Sequence, residues 1–280
     1  MSPLPLPSEP PYRSILVHVD VNDGAASRVR LAANLADKWG SFLIGAAAIE
    51  QYLSLYGDGT MLTPGLFEQE KQRTDDFLAA TGQTFRRETG GLRTIDWHTE
   101  LWNETSVIVD QARRADMIVL GQKDVQDRTP GVSTLSVAEV IVSSGRPVLI
   151  VPPNVDELPS AKVVIGWKDS REVRRAISDA LPLLRLAQEI TVVAVSPTLE
   201  GEAWAEVQGY LARHRLPCSF VYRREPETEA ARIIMDTARM IGAGLIVTGA
   251  YGHRRLSEWL FGGVTRELSL HAPVCCLMSH

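Results

Sequence analysis

Cysteine is nearly absent from this 280-residue chain, which has only Cys218, Cys275 and Cys276. No CxxC pair occurs, and Cys275 and Cys276 sit side by side in the apolar run Pro273-Val-Cys-Cys-Leu-Met278, where neighbouring strand residues point to opposite faces. A disulfide framework and the usual zinc spacings are therefore not expected, and the pair reads as two small buried side chains. No apolar stretch approaches the roughly 20 residues that a membrane-spanning helix needs. An excess of positive charge is also missing. Net charge is −5 and there is no long basic run, so no general attraction to nucleic acid or to an anionic membrane is expected. The amino terminus has Pro3, Pro5, Pro7, Pro10 and Pro11 but neither the basic segment nor the continuous apolar core of a secretory signal, and reads as an extended tail. These absences point to a cytoplasmic protein.

What is present is length and repetition. The chain exceeds the roughly 100–150 residues of a common domain, and 45% hydrophobic with 22% charged residues is ordinary for globular proteins. Short apolar runs alternate with stretches of helical spacing. Strands are expected at 14–20, 41–48, 94–100, 117–121 and 147–151, with helices at 25–39, from about 65 to 87, at 106–114 and at 136–143. A proline-rich stretch, Pro152 to Pro159, interrupts this rhythm, which then restarts. Strands follow at 162–167, 189–195, 219–222, 245–248 and 273–278, with helices at 171–186, 202–214, 229–241 and 264–270, the first of them kinked or divided at Pro182. The halves also align with each other. Ala112 to Gly121 corresponds to Met240 to Gly249, and Gly145 to Val151 corresponds to His271 to Leu277.

The expected fold is α/β, with two tandem doubly wound domains. Each has a five-stranded, mostly parallel sheet and helices on both faces. The tail covers 1–12, the first domain 13–152, a linker 153–160 and the second domain 161–280. Ligands on such sheets bind beyond the carboxyl ends of the strands, where the strand order reverses.

One stretch begins at such an end. Gly249-Ala-Tyr-Gly-His-Arg-Arg-Leu-Ser-Glu-Trp-Leu-Phe-Gly-Gly-Val-Thr265 places four glycines and three basic side chains in seventeen residues between a strand and a helix. Gly249 and Gly252 permit a sharp turn with bare backbone N–H groups, and Gly262, Gly263 and Val264 lie where helix N–H groups and the positive end of the helix dipole face outward. Thr265 adds a hydroxyl, and His253 and Arg254 add charge that complements phosphate. Spacing alone leaves two readings open, a phosphate cradle and a solvent-facing loop.

The β-α order along the chain, the duplication and this G-x2-G-x9-G element before a last helix and a Pro-Val strand resemble a tandem universal stress protein. The resemblance covers nearly the whole chain after the tail. It implies that the glycine element binds the phosphates and ribose of ATP, with or without magnesium, while Trp167 and Lys168 at the end of the first strand and Val195 at the end of the second hold adenosine. It also implies a nucleotide-binding stress-response module, a sensor or regulator without catalytic machinery. A nucleotide-free scaffold and a slow ATPase are the alternatives.

Two positions depart from the family pattern. Gly263 stands where Ser or Thr follows the third glycine, and Lys168 in Trp167-Lys-Asp-Ser170 stands where family members carry an Asp that accepts from ribose, which leaves two readings, a Lys168 that contacts phosphate instead and a site that has lost ATP. The amino-terminal half departs in the opposite way. It keeps Asp20, but Gly121-Gln-Lys-Asp124 replaces G-x2-G, and Ser136 and Val137 replace the glycine pair, so this half is expected to be a structural or pairing partner without ATP.

Asp96, His98 and Glu100 share one strand face and read as a solvent-facing edge rather than a metal site. Trp97, Trp102, Tyr52, Leu53, Leu55 and Tyr56 leave an apolar surplus in the first half, for the core or for an interface. The resemblance also implies that the last strands of the two halves, Pro147 to Val151 and Pro273 to Met278, pair edge to edge within the chain, with a homodimer as a further assembly.

Overall fold

A computed structural model describes residues 10–50, 64–122, 135–198, 201–251 and 263–280. The first half contains β1 (Ser14–His18), α1 (Ala25–Trp39), β2 (Phe42–Ala48), α2 (Pro64–Glu88), β3 (Ile95–Glu100), α3 (Glu104–Gln111), β4 (Met117–Gly121), α4 (Val137–Ser143) and β5 (Val148–Val151). The second half contains β6 (Lys162–Trp167), α5 (Arg171–Leu184), β7 (Glu189–Val195), α6 (Gly201–Arg213), β8 (Cys218–Arg223), α7 (Ala230–Ile241), β9 (Leu245–Gly249), α8 (Gly263–His271) and β10 (Cys275–Ser279). Side-chain oxygens set several helix starts. Asn103 accepts from Ser106 N, Ser136 from Glu139 N and Ser170 from Val173 N.

The central strands are apolar without alternation because helices cover both sides. Ile15, Leu16 and Val17, and likewise Val163, Val164 and Ile165, are fully buried. One apolar layer holds Ile15, Val17, Ile165, Val247 and Leu277 beneath α1, α2, α5 and α6, and the other holds Leu16, Val164, Ile246 and Cys276 beneath α3, α4, α7 and α8. Both layers run through both halves. Helix α5 is not divided at Pro182. It continues to Leu184, two residues past the proline, and closes with Arg185 N donating to Leu181 O.

The strand order is β3-β2-β1-β4-β5-β10-β9-β6-β7-β8, a single sheet of ten strands. Every neighbouring pair is parallel except β5 and β10, which run antiparallel with Cys276 opposite Ile150, Leu277 opposite Leu149 and Met278 opposite Val148. The expected pairing of the two last strands within the chain is therefore present, and it joins the two five-stranded sheets into one. Cys275 and Cys276 are free, buried and in opposite apolar layers, and burial pushes the Cys275 thiol up to about 12. Their thiolates are thereby suppressed.

The segment between the halves is tied to both. Arg30 Nη1 lies 3.0 Å from Asp156 Oδ2, and Asn34 donates to Asp156 O at 3.1 Å. Gly244 approaches Pro159 so closely that a Cβ there would lie 1.8 Å from the Pro159 carbonyl oxygen. Across the junction, Gln122 Nε2 donates to Ala272 O at 3.0 Å and Arg175 Nη2 to Gly145 O at 2.9 Å.

In each half the chain lays three strands in one direction and then returns to the other side of the first. Strand order thus reverses between β1 and β4 and again between β6 and β9. These are the two positions where a ligand crevice is expected.

Candidate nucleotide site at the β6–β9 reversal

The second reversal collects the sequence-predicted residues that can be described. Gly166 pairs with Thr248 across β6 and β9, so Trp167 and Gly249 end adjacent strands, and Val195 ends β7 on the other side of β6. Trp167 and Val195 are half-buried and pack on opposite apolar layers. Gly249 lies against the first turn of α5, where an added Cβ would fall 2.5 Å from Val173 N and 2.6 Å from Glu172 C. Only glycine lets strand and helix approach this closely.

Beyond Gly249 the backbone is held on several sides. Ala250 N donates to Ser279 O at 2.9 Å, His280 Nδ1 lies 3.0 Å from Ala250 O, and Tyr251 takes a left-handed conformation with φ of 58°. Tyr251 N donates to Thr265 Oγ1 at 3.3 Å, which brings the start of α8 to the end of β9. The Thr265 oxygen therefore serves the backbone, and the residue is only 4% exposed. Gly263 is exposed, and an added Cβ would meet nothing within 4 Å. Val264 is half-buried beside it. Gly252, His253, Arg254 and Gly262 lie outside the described residues.

Lys168 leaves β6 with its side chain half exposed, and its Nζ lies 2.6 Å from Glu227 Oε2, 59 residues away. The sequence gives Glu227 no mark beyond its place in the acidic run Glu225-Pro-Glu-Thr-Glu229 that leads into α7. Tyr222 OH donates to Ser196 O at 2.6 Å, tying the exit of β7 to the end of β8. Burial raises the Tyr251 phenol above its ordinary value.

The first reversal is built differently. Asp20, which follows β1, lies with its Oδ1 2.8 Å from Arg28 Nη2 on α1, off the line of a good hydrogen bond, while Arg28 Nε donates to His18 O at 2.8 Å. The guanidinium is 4% exposed and fills the space beside Gly121, where a Cβ would lie 2.0 Å from Arg28 Nη1. His18 Nε2 lies 2.6 Å from Glu104 Oε1, and Glu104 Oε2 accepts from Leu135 N at 2.9 Å. Ser136 and Val137 form the cap and first residue of α4. The carboxylate that the sequence places at the end of β1 is thus already held by a cation from the same half.

Burial works against the charge of Asp20, but Arg28 and His18 outweigh it and hold the carboxyl below its ordinary 3.8. A carboxyl depressed in this way adds stability that is fully present above 3.8 and is lost as pH falls through the folded value. Asp20→Asn is expected to be less stable than the parent at neutral pH, with the gap in urea unfolding starting to close only as pH falls below about 4. Parallel curves over the whole range would show that Asp20 does not carry this linkage.

At the outer edge, Trp97 stacks on Phe85 with ring centroids 5.0 Å apart and so joins the core, whereas Trp102 is 64% exposed. Tyr52, Leu53, Leu55 and Tyr56 lie outside the described residues. Asp96 pairs with Arg114, and His98 Nε2 lies 3.4 Å from Glu100 Oε2. Among the described residues no group of three or more His, Cys, Asp and Glu side chains is arranged to hold a metal ion, and no helix is long and apolar enough to cross a membrane.

A doubly wound α/β sheet that is duplicated along the chain, with a strand-order reversal in each half, defines the class of protein. Residues 160–280, the carboxyl-terminal half, match the model of the universal stress protein family. The chain is similar in fold to a universal stress protein from Archaeoglobus fulgidus DSM 4304, with a TM-score of 0.69, 13% identity and 95% of each chain covered. Two Pseudomonas aeruginosa structures are also similar over 95% of this chain and 92% of their own, each at 15% identity. They are a functionally unknown protein from strain PAO1, with a TM-score of 0.58, and a putative universal stress protein from strain UCBPP-PA14, with a TM-score of 0.57. At these identities the likeness is one of fold. Comparison with curated proteins gives no match.

Proposed function

We propose that the carboxyl-terminal half binds an adenine nucleotide, with ATP as the leading candidate, and that the protein acts as a regulatory or sensor module rather than as an enzyme. The observation that carries this reading is the convergence of Trp167, Lys168, Gly249 and the start of α8 on one strand-order reversal. The equivalent place in the other half is filled by Arg28. In this reading phosphate lies at Gly263, where an added Cβ would meet nothing within 4 Å and the positive dipole end of a nine-residue helix favours an anion. Gly252 and Gly262 supply further backbone, His253 and Arg254 supply charge, and Trp167 and Val195 offer half-buried apolar surface to a base. Thr265 contributes by fixing Tyr251.

The expected stoichiometry is one nucleotide per chain. Calorimetry with MgATP should show saturable binding to the parent and at least about tenfold weaker binding to Gly252→Asp, which sets a carboxylate against phosphate. No saturable heat at millimolar MgATP defeats the proposal, and undiminished binding by Gly252→Asp defeats the cradle.

A further inference from the structure

The Lys168–Glu227 pair spans a strand end. Lys168 follows β6 and Glu227 lies in the turn that leads from β8 into α7, while β7 runs between those two strands. Neighbouring strands are about 4.8 Å apart, so a contact from the end of β6 to the segment after β8 passes over the carboxyl end of β7. Val195 and Ser196 lie at that end. The bridge therefore lies on the side of β6 away from β9. Any ligand that settles over the β6 and β7 ends has to share Lys168 with Glu227 or take it away.

We propose that this ion pair makes the site selective for anionic nucleotides over uncharged nucleosides, an inference that rests on the nucleotide reading given above. A neutral ligand separates Lys168 from Glu227 and gives neither a new charged partner. A ligand with a phosphate near the β6 end replaces Glu227 as the partner of the ammonium. The released Glu227 keeps a favourable position, because it lies in the turn at the amino end of α7, where the helix dipole favours negative charge. Exchange of one anion for another is thus nearly balanced for a nucleotide and one-sided for a nucleoside. Lys168 is the specificity residue, and Glu227 is the internal anion that competes for it.

The size of the effect is set by exposure. Both side chains are about half exposed, 50% and 51%, so the pair is a solvated one and its release should change affinity by about two- to fivefold. Calorimetric titration of ATP and of adenosine into the parent, Glu227→Gln, Lys168→Met and the double variant tests the proposal. Glu227→Gln, which removes the competing anion, is expected to tighten ATP by about two- to fivefold, and this gain should vanish in the Lys168→Met background. Lys168→Met should lower the ratio of ATP to adenosine affinity by a similar factor.

A gain from Glu227→Gln that persists without Lys168 would show an effect through α7 alone and overturn the inference. So would an ATP-to-adenosine ratio that Lys168→Met leaves unchanged. Binding of ATP and adenosine with equal affinity by the parent defeats the selectivity while the nucleotide reading survives. Failure of the parent and all variants to bind either ligand defeats both.

Discussion

Arg28→Met is expected to lower the unfolding free energy by about 3–5 kcal/mol, the usual cost of breaking a buried ion pair from one side. The variant keeps Asp20 at 7% exposure, with Glu104 also buried nearby, but loses the cation that neutralises it. It also loses the bond from Arg28 Nε to His18 O and leaves the space beside Gly121 poorly filled. The double variant Arg28→Met with Asp20→Asn removes both charges, and should recover a large part of the loss because a neutral pair costs less to bury than a lone carboxylate. Acid should act in opposite directions on parent and variant. In the parent, protonation of Asp20 removes a favourable pair, whereas in Arg28→Met it relieves an unpaired buried charge, so the stability gap narrows as pH falls. Urea midpoints at constant slope measure this directly. A loss below about 1 kcal/mol at neutral pH would show that the guanidinium is not needed to close the amino-terminal crevice.

This prediction rests on a contact that the sequence does not display, whereas most of the fold does appear there. The β6 and β7 boundaries match the expected 162–167 and 189–195, because a strand covered on both faces is an apolar run with polar ends. The opposite facing of Cys275 and Cys276 follows from strand alternation, whereas the pairing of the two last strands is implied by the family resemblance. Helix α3 starts two residues before the expected Ser106, since the Asn103 side chain caps it and brings Glu104 into a buried first turn. Pro182 leaves α5 undivided, and the helix ends two residues later.

Partners distant in sequence were harder to see. Asp20 is recognisable as a carboxylate at a strand end, but that Arg28 takes it depends on where α1 lies against β4. Lys168 is recognisable as a reversed charge, but its partner is 59 residues away and belongs to an element two strands across the sheet. Thr265 is recognisable as a hydroxyl near the glycines. That its oxygen goes to Tyr251 depends on the left-handed turn of a non-glycine residue. Local pattern reveals which groups stand at the strand ends, and tertiary packing decides which of them are already engaged.

Gly249→Ala tests how far the candidate site depends on that packing. The new methyl group would lie 2.5 Å from Val173 N, 2.6 Å from Glu172 C and 2.8 Å from Glu172 Cβ. Two of these atoms are helix backbone, which no side-chain rotation can clear, so the amino end of α5 has to move away from β9. The expected loss is about 1–3 kcal/mol of stability, as for an overpacked core. The displacement should also reach the ligand, because Lys168 and the cap residue Ser170 immediately precede α5. Nucleotide affinity should therefore fall by at least about tenfold, since a small misplacement of a binding group is costly. Gly263→Ala provides the contrast. Its methyl group meets nothing within 4 Å, and alanine favours a helix, so stability should hold or rise by up to about 1 kcal/mol. If phosphate approaches the start of α8, that same methyl group takes up the space and affinity drops without any loss of fold. Full nucleotide affinity in Gly263→Ala would move the phosphates away from α8, and full affinity in a destabilised Gly249→Ala would separate the binding site from the β9–α5 contact.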